Sequence, residues 1–165
     1  MVVVAMVGIL ATLAVYGVKK YLNSSKSSEA IQMIGSIKAA QESYRSETFT
    51  YLDVSGTIAT LANFYPTPTP NNSAVQWGDT STDIGKNWQR LGVVADAPVR
   101  FAYGCTAATS GNVAAPGMTV ANWPPSSTQP WYVVRAVGDL DGDTTYSNFV
   151  SSSFVGQIFI DKEGE

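Results

Sequence analysis

The sequence has no histidine, a single cysteine and few basic residues, and each scarcity excludes a class of function. Without histidine, the chain lacks the commonest general base and the commonest metal-ligating side chain. Cys105 has no second cysteine for an internal disulfide and no histidine to activate it as a nucleophile. Ten basic residues against thirteen acidic ones give a net charge of -3, which offers little to a nucleic-acid backbone. Direct binding of nucleic acid is therefore not expected.

Acid–base catalysis in this chain would have to use aspartate and glutamate alone. The conventional arrangement of that kind is a pair of carboxylates, as in glycosidases, and no pair here is marked by its spacing. We therefore expect a protein that is not an enzyme. A membrane-tethered hydrolase stays open as an alternative.

The first 18 residues carry no charge and are apolar enough to span a membrane. A cleaved secretory signal would need a positive start and a small-residue cleavage site before a polar break, but this run continues directly into Lys19 and Lys20. A buried core helix would need protein on all its sides. Residues 1–18 are therefore predicted to form a membrane-embedded segment.

The pattern then becomes amphipathic without a break over residues 19–47. Apolar residues recur at helical spacing while most charged ones fall elsewhere around the helix. No proline occurs before Pro66, so one continuous helix is predicted from Met1 to about Glu47, roughly 70 Å long and more than twice the thickness of the apolar core of a bilayer.

The rest of the chain is predicted to form loops and then an antiparallel sheet. Residues 48–98 contain the proline-rich stretch "YPTPTPNNS", which indicates an extended or turn conformation. Residues 99–165 contain four predicted strands, at Val99–Tyr103, Trp131–Gly138, Thr145–Val150 and Gly156–Asp161, with a surface excursion between the first two. The helical stripe expected to cover one face of this sheet comprises Ile31, Ile34, Ile37 and Tyr44, giving a two-layer α+β head.

An apolar half-helix, an amphipathic half-helix and a Gly/Pro/Ser-rich remainder together resemble the type IV pilin and type II secretion pseudopilin family. The stretch "MVVVAMVGILATLAVYGVKKYL" is similar to the family's N-terminal helix, strongly over about the first fifty residues and only in architecture beyond them. The resemblance implies a structural subunit that lies in the bacterial inner membrane before assembly and in an extracellular or periplasmic filament afterwards. Secretion, adhesion and motility are the roles of such filaments.

The resemblance also implies partners and assembly residues. The partners are other copies or related pilins, a prepilin peptidase, an inner-membrane platform and an assembly ATPase. Small residues allow close helix packing in lipid, which favours self-association of this segment. The candidate membrane and assembly residues are Val2, Ala5, Gly8, Ile9, Ala11, Leu13, Val15 and Gly17.

The sequence departs from the family at several positions. The family's cleavage glycine, methylated first residue and nearby acidic residue would precede Met1. Where many pilins have a helix-kinking proline, this chain has Gly17. The usual cysteine pair of the C-terminal loop is also missing, since Cys105 is alone.

One stretch, "GDLDGD", has the chemistry of a metal site. Asp139, Asp141 and Asp143 alternate and could bind a hard cation such as calcium, with Gly142 bending the chain. The pattern is not that of an EF-hand, which needs Gly where Thr144 stands and Glu where Val150 stands. A solvated hairpin turn is the alternative, because Asp-Gly is a strong turn signal. Some pseudopilins carry calcium in this region, so the resemblance adds support for calcium, which would brace the loop.

The four tryptophans, at positions 77, 88, 123 and 131, raise a second function. Indole rings can stack on sugars, although tryptophan more commonly serves as a partly buried packing residue. The alternative to a filament subunit is therefore a membrane-anchored, non-polymerising module that binds calcium or carbohydrate.

Overall fold

The long helix predicted from the sequence is present and unbroken. The computed structural model describes residues 2–164, apart from the side chains of residues 19, 20 and 24. Helix α1 runs over Val2–Thr48, a length of 47 residues. The next residue, Phe49, has a left-handed φ of 62°, and its N–H donates to the Arg45 carbonyl over 2.8 Å. This is a left-handed helix cap of the kind that glycine usually provides.

The second half of α1 packs on the sheet through the predicted stripe, with one exception. Ile34 and Ile37 are completely buried, and Tyr44 is partly buried against the same core. The prediction for Ile31 was wrong, because its side chain is 40% exposed. Ala30 is the buried neighbour, and at 3.6 residues per turn Ile31 lies about 100° further round the helix, beyond the edge of the buried stripe.

A four-stranded antiparallel sheet forms the body of the head, which confirms the α+β fold class. The strands of the head are β1 Ala102–Ala108, β2 Gly111–Asn112, β3 Ser126–Ser127, β4 Trp131–Gly138, β5 Ser147–Ser152 and β6 Val155–Asp161. The four-stranded sheet follows the order β1-β4-β5-β6. A separate two-stranded ribbon pairs β2 with β3.

The predicted strands are all present, but only β4 has the predicted bounds. The first strand was placed too early, since β1 starts at Ala102 and runs on to Ala108. Val99 instead forms an isolated bridge with Val75, outside the sheet. β5 and β6 are displaced only slightly from the predicted ranges.

The region over residues 48–98 contains a helix that the sequence analysis did not predict. Helix α2 covers Asp83–Leu91, and the Thr82 side chain caps its start by accepting from the Gly85 N–H. Gly92 ends it in the left-handed conformation, with φ of 78°. Trp88 and Leu91 are buried beneath it and tie α2 to the core under α1.

Both faces of the sheet are covered, so the two-layer prediction was incomplete. Opposite α1, Val133, Val137 and Val150 pack against a second cluster that includes Ile58 and Phe64. The stretch predicted as a surface excursion contributes to this third layer through residues such as Val113 and Trp123. β1 and β4 are therefore buried on both sides, which is why β4 reads as an almost continuous apolar run.

The head has two distinct ends along α1. At the end nearer the N-terminus, Asn23 Nδ2 donates to the Gly164 carbonyl over 2.8 Å, and Lys26 Nζ donates to the Leu140 carbonyl over 3.2 Å. We call this the proximal end. The other, distal end is where α1 stops at Thr48 and where the β5–β6 hairpin turns at Ser153 and Phe154.

Candidate functional site

The apolar half of α1 projects from the head with its side chains uncovered. Val2, Ile9, Leu13 and Val15 are between 61% and 67% exposed. The small residues Ala5, Gly8, Ala11 and Gly17 are likewise exposed. A Cβ added at Gly8 or Gly17 would meet nothing within 4 Å. The predicted membrane and assembly residues are thus all available for contact with lipid or with other helices.

The length and composition of this projection are compatible with a membrane span. In the described part of the chain, α1 is the one helix long and apolar enough to cross a bilayer, by length and composition. From Val2 to Leu22 the helix rises about 30 Å at 1.5 Å per residue, and the uncharged run from Val2 to Val18 accounts for about 24 Å of it, somewhat less than the roughly 30 Å apolar core of a bilayer. The contacts of Asn23 with the C-terminal segment begin where this stretch ends.

The three aspartates of "GDLDGD" lie together at the proximal end of the head. One carboxylate oxygen from each of Asp139, Asp141 and Asp143 lies within 4.8 Å of the other two. Asp139 is buried, whereas the other two are exposed. The chain bends at Gly142, as predicted, with φ of 84°.

The same carboxylates hold the loop together through backbone hydrogen bonds. Asp139 accepts from the Gly142 N–H over 2.6 Å and from the Thr144 N–H over 3.1 Å. Asp143 accepts from the Thr145 N–H over 2.6 Å, and this bond lowers the pKa of the Asp143 carboxyl. Such bonds are those of a stable turn and do not require a cation. Calcium binding here therefore stays a prediction.

The tryptophans do not form a sugar-binding platform. Trp77, Trp88 and Trp131 are each 7% exposed or less, and Trp77 stacks edge-to-face with Tyr65 and Trp88. Trp123 is partly buried, and its Nε1–H donates to the Ala114 carbonyl. The rings are packing residues, so the tryptophan basis for carbohydrate binding was wrong.

A buried polar contact lies between α1 and the sheet. The Gln41 side chain is completely buried, and its Nε2–H₂ donates to the Leu52 carbonyl and to Cys105 Sγ, over 2.8 and 3.2 Å. Burial raises the pKa of the Cys105 thiol to about 12. Because the thiolate is the reactive form of cysteine, the Cys105 thiol is expected to react slowly at neutral pH.

The structure also has an open groove of about 850 Å³ at the distal end, which we call the distal groove. Four segments line it: the end of α1 with Tyr51, residues 110–111, residues 126–130, and the Ser153–Phe154 turn. Its lining is mostly hydroxyl and amide side chains, with Arg45 as the one charged residue. No sequence signal pointed to it, because its segments are far apart in the chain and form no motif.

Two aromatic groups and one cation give the distal groove its chemistry. Arg45 Nη1 donates to the Tyr51 hydroxyl over 2.8 Å, and that hydroxyl donates to Glu42 Oε1 over 2.9 Å. Burial and the nearby Glu42 carboxylate raise the pKa of Tyr51, so this hydroxyl stays protonated. Phe154 is 39% exposed at the groove's edge.

Comparison of the chain with protein-family models, with curated proteins and with solved structures finds no match.

Proposed function

We propose that the protein is a structural subunit of a type IV pilus-like or pseudopilus-like filament, held in the inner membrane and assembled through its N-terminal helix. One observation carries this proposal: a single unbroken helix joins an uncovered apolar half to a half packed on the sheet. A simple membrane anchor needs no rigid connection to its soluble domain, since a flexible linker would tether it equally well. A rigid connection is useful where the head and the apolar helix must keep one fixed relation in every copy.

Assembly of this kind exchanges lipid contacts for helix contacts. The apolar side chains of residues 2–18 are comparable in polarity to lipid tails, so moving the helix into a bundle of sister helices involves little net hydrophobic free energy. The balance then depends on close packing, for which Ala5, Gly8 and Ala11 are suited. A nearly balanced exchange can be driven by an ATPase, and this motor and an inner-membrane platform are the partners that the proposal requires.

The experiment compares filament formation by two variants, each expressed in the native strain in place of the wild-type protein. Gly8→Leu places a bulky side chain where a Cβ now meets nothing, and Val7→Leu makes a similar side chain at the adjacent, already bulky position. We expect sheared filaments, seen by negative-stain electron microscopy, to be lost in Gly8→Leu and kept in Val7→Leu. Immunoblots of membranes must show equal amounts of both proteins.

Two results would contradict the proposal. A wild-type chain that is abundant in the membrane but enters no filament would favour the anchored, non-polymerising module. A reporter that places the C-terminus in the cytoplasm would exclude the topology that filament entry needs.

A further inference from the structure

The distal groove has a wall of polar side chains that are not used by the fold. In the part of the chain that the structure describes, the hydroxyls of Ser110, Ser126 and Thr128 and the side-chain amide of Gln129 make no hydrogen bond to protein. These groups line a concave surface, and each can both donate and accept a hydrogen bond. Such a surface suits a ligand that itself carries many hydroxyl groups, since each can replace a water molecule.

The groove also has an aromatic residue where it adjoins a second groove. Phe154 occupies a hairpin turn, where polar residues are usual, and its ring is 39% exposed at the junction of the distal groove with a smaller one of about 320 Å³. An exposed aromatic ring beside hydroxyl groups can bind a molecule with both apolar and polar faces. A pyranose ring has this character.

The charge in the groove selects among such ligands. Arg45 is the one charged residue that lines it. Its Nη1 donates to the Tyr51 hydroxyl and forms an ion pair with Glu42 Oε2 over 3.9 Å, and its guanidinium lies 5.1 Å from the centre of the Tyr51 ring. Glu42 lines the smaller groove that adjoins the distal groove at Phe154. The Nε and Nη2 donors of Arg45 are unused by the described residues. A guanidinium with free donors pairs best with a carboxylate, because two parallel hydrogen bonds can form.

We propose that the distal groove binds a carboxylate-bearing saccharide. Phe154 stacks on the sugar ring, the hydroxyl and amide wall binds its hydroxyl groups, and Arg45 binds its carboxylate. This goes beyond the proposed function and does not rest on it, because one chain forms the whole groove. The groove lies at the opposite end of the head from the contacts of Asn23 with Gly164, so a membrane-anchored copy leaves it accessible.

Calorimetric titration of the full chain in detergent micelles tests this site. The probes are a short oligogalacturonate, which carries carboxylates, and a maltooligosaccharide of the same length, which does not. We expect the acidic probe to bind and the neutral probe to bind at least about tenfold more weakly, since the paired Arg–carboxylate bonds are missing.

Matched variants locate the site. Arg45→Gln and Phe154→Ser should each weaken binding of the acidic probe about tenfold. Arg90→Gln removes the same charge from an exposed position outside the groove, and Phe49→Ser removes a ring that is 82% exposed and does not line the groove; both variants should bind the acidic probe as the wild type does. Phe154→Ser changes an exposed turn residue, so it remains informative if Arg45→Gln is unstable.

Three results would overturn the proposal. They are no heat of binding with the acidic probe at either of two well-separated temperatures, equal binding of the two probes, and equal weakening by the groove variants and their controls. Filament formation does not enter this test, so the failure of either proposal is distinguishable from the failure of the other.

Discussion

The Gln41 side chain and the Leu52 backbone form a reciprocal pair of hydrogen bonds. Gln41 Nε2 donates to the Leu52 carbonyl over 2.8 Å, and the Leu52 N–H donates to Gln41 Oε1 over 3.0 Å. Both residues are buried. The Gln41 side chain thus provides hydrogen-bond partners for the buried Leu52 backbone, at the point where the chain turns back beneath α1. This pairing fixes the start of the loop region against the sheet.

Replacing this amide should destabilise the head. Gln41→Leu leaves the buried N–H and carbonyl of Leu52 without partners, and we expect a loss of about 1–3 kcal/mol in the free energy of unfolding. Urea unfolding of the full chain in detergent, followed by tryptophan fluorescence, measures it. Gln32→Leu makes the same change at an exposed position of α1 and should alter stability by less than about 0.5 kcal/mol. Equal effects of the two variants would contradict this role of Gln41.

The buried thiol of Cys105 gives a prediction for reactivity and for pH. Its pKa rises from 9.0 to about 12 on folding, so the native thiol should react very slowly with maleimide at pH 8. Between these values the unfolded chain binds fewer protons than the folded one, so stability should fall as pH rises, by up to about 1.4 kcal/mol per pH unit from this group. Tyr103, whose pKa burial also raises, acts in the same direction at higher pH.

Two variants separate these effects. Thr109→Cys adds an exposed thiol that should react at once while Cys105 does not, as mass spectrometry of the labelled peptides would show. Cys105→Ala should lessen the fall in stability above pH 9. Rapid labelling of Cys105 in the folded chain would show that the thiol is not buried as described.

The helix and the fold class were readable from the sequence because they rest on long, regular patterns. An uncharged run followed by helical periodicity leaves few alternatives, and β4 carries a strong strand signal. The C-terminal end of α1, at Thr48, also lies one residue from the predicted end at about Glu47. The prediction that Ile31 is buried was wrong because Ile31 lies at the edge of the apolar stripe. Sequence periodicity does not decide whether a residue at such an edge faces the core or the solvent.

Other features had signals that were not used. Thr82 before Asp83 and Gly92 after Leu91 mark both ends of α2 by ordinary capping chemistry. The continuous apolar character of β4 indicated a sheet covered on both faces. The distal groove had no such signal, because a concave surface formed by four separate segments depends on tertiary packing alone.

Two helical glycines should respond oppositely to alanine. A Cβ at Gly85 in α2 would clash with the Asp79 carbonyl oxygen, whereas a Cβ at Gly35 in α1 would meet nothing within 4 Å. Gly85→Ala should therefore destabilise the head by more than about 1 kcal/mol through overpacking. Gly35→Ala should stabilise it by up to about 1 kcal/mol, because alanine favours helix. Urea midpoints of the two variants measure this, and shifts of the same sign would contradict the packing described at Gly85.

Calcium binding by the Asp139–Asp143 loop is predicted to raise the unfolding temperature of the full chain. The carboxylates of Asp141 and Asp143 are exposed and close to that of Asp139, so a cation could join them without unfolding the turn. At a calcium concentration a hundredfold above the dissociation constant, the gain in the free energy of unfolding would be about 2.7 kcal/mol.

Asp141→Asn removes one charge but keeps an oxygen that can accept the Asp143 N–H, so the loop should keep its fold and lose the calcium response. Asp96→Asn, at an exposed position in another loop, is the matched control and should respond as the wild type does. The unfolding temperature is measured with millimolar calcium and again with a chelator. Equal unfolding temperatures of the wild type under the two conditions would contradict calcium binding and identify the loop as a turn held by its own backbone hydrogen bonds.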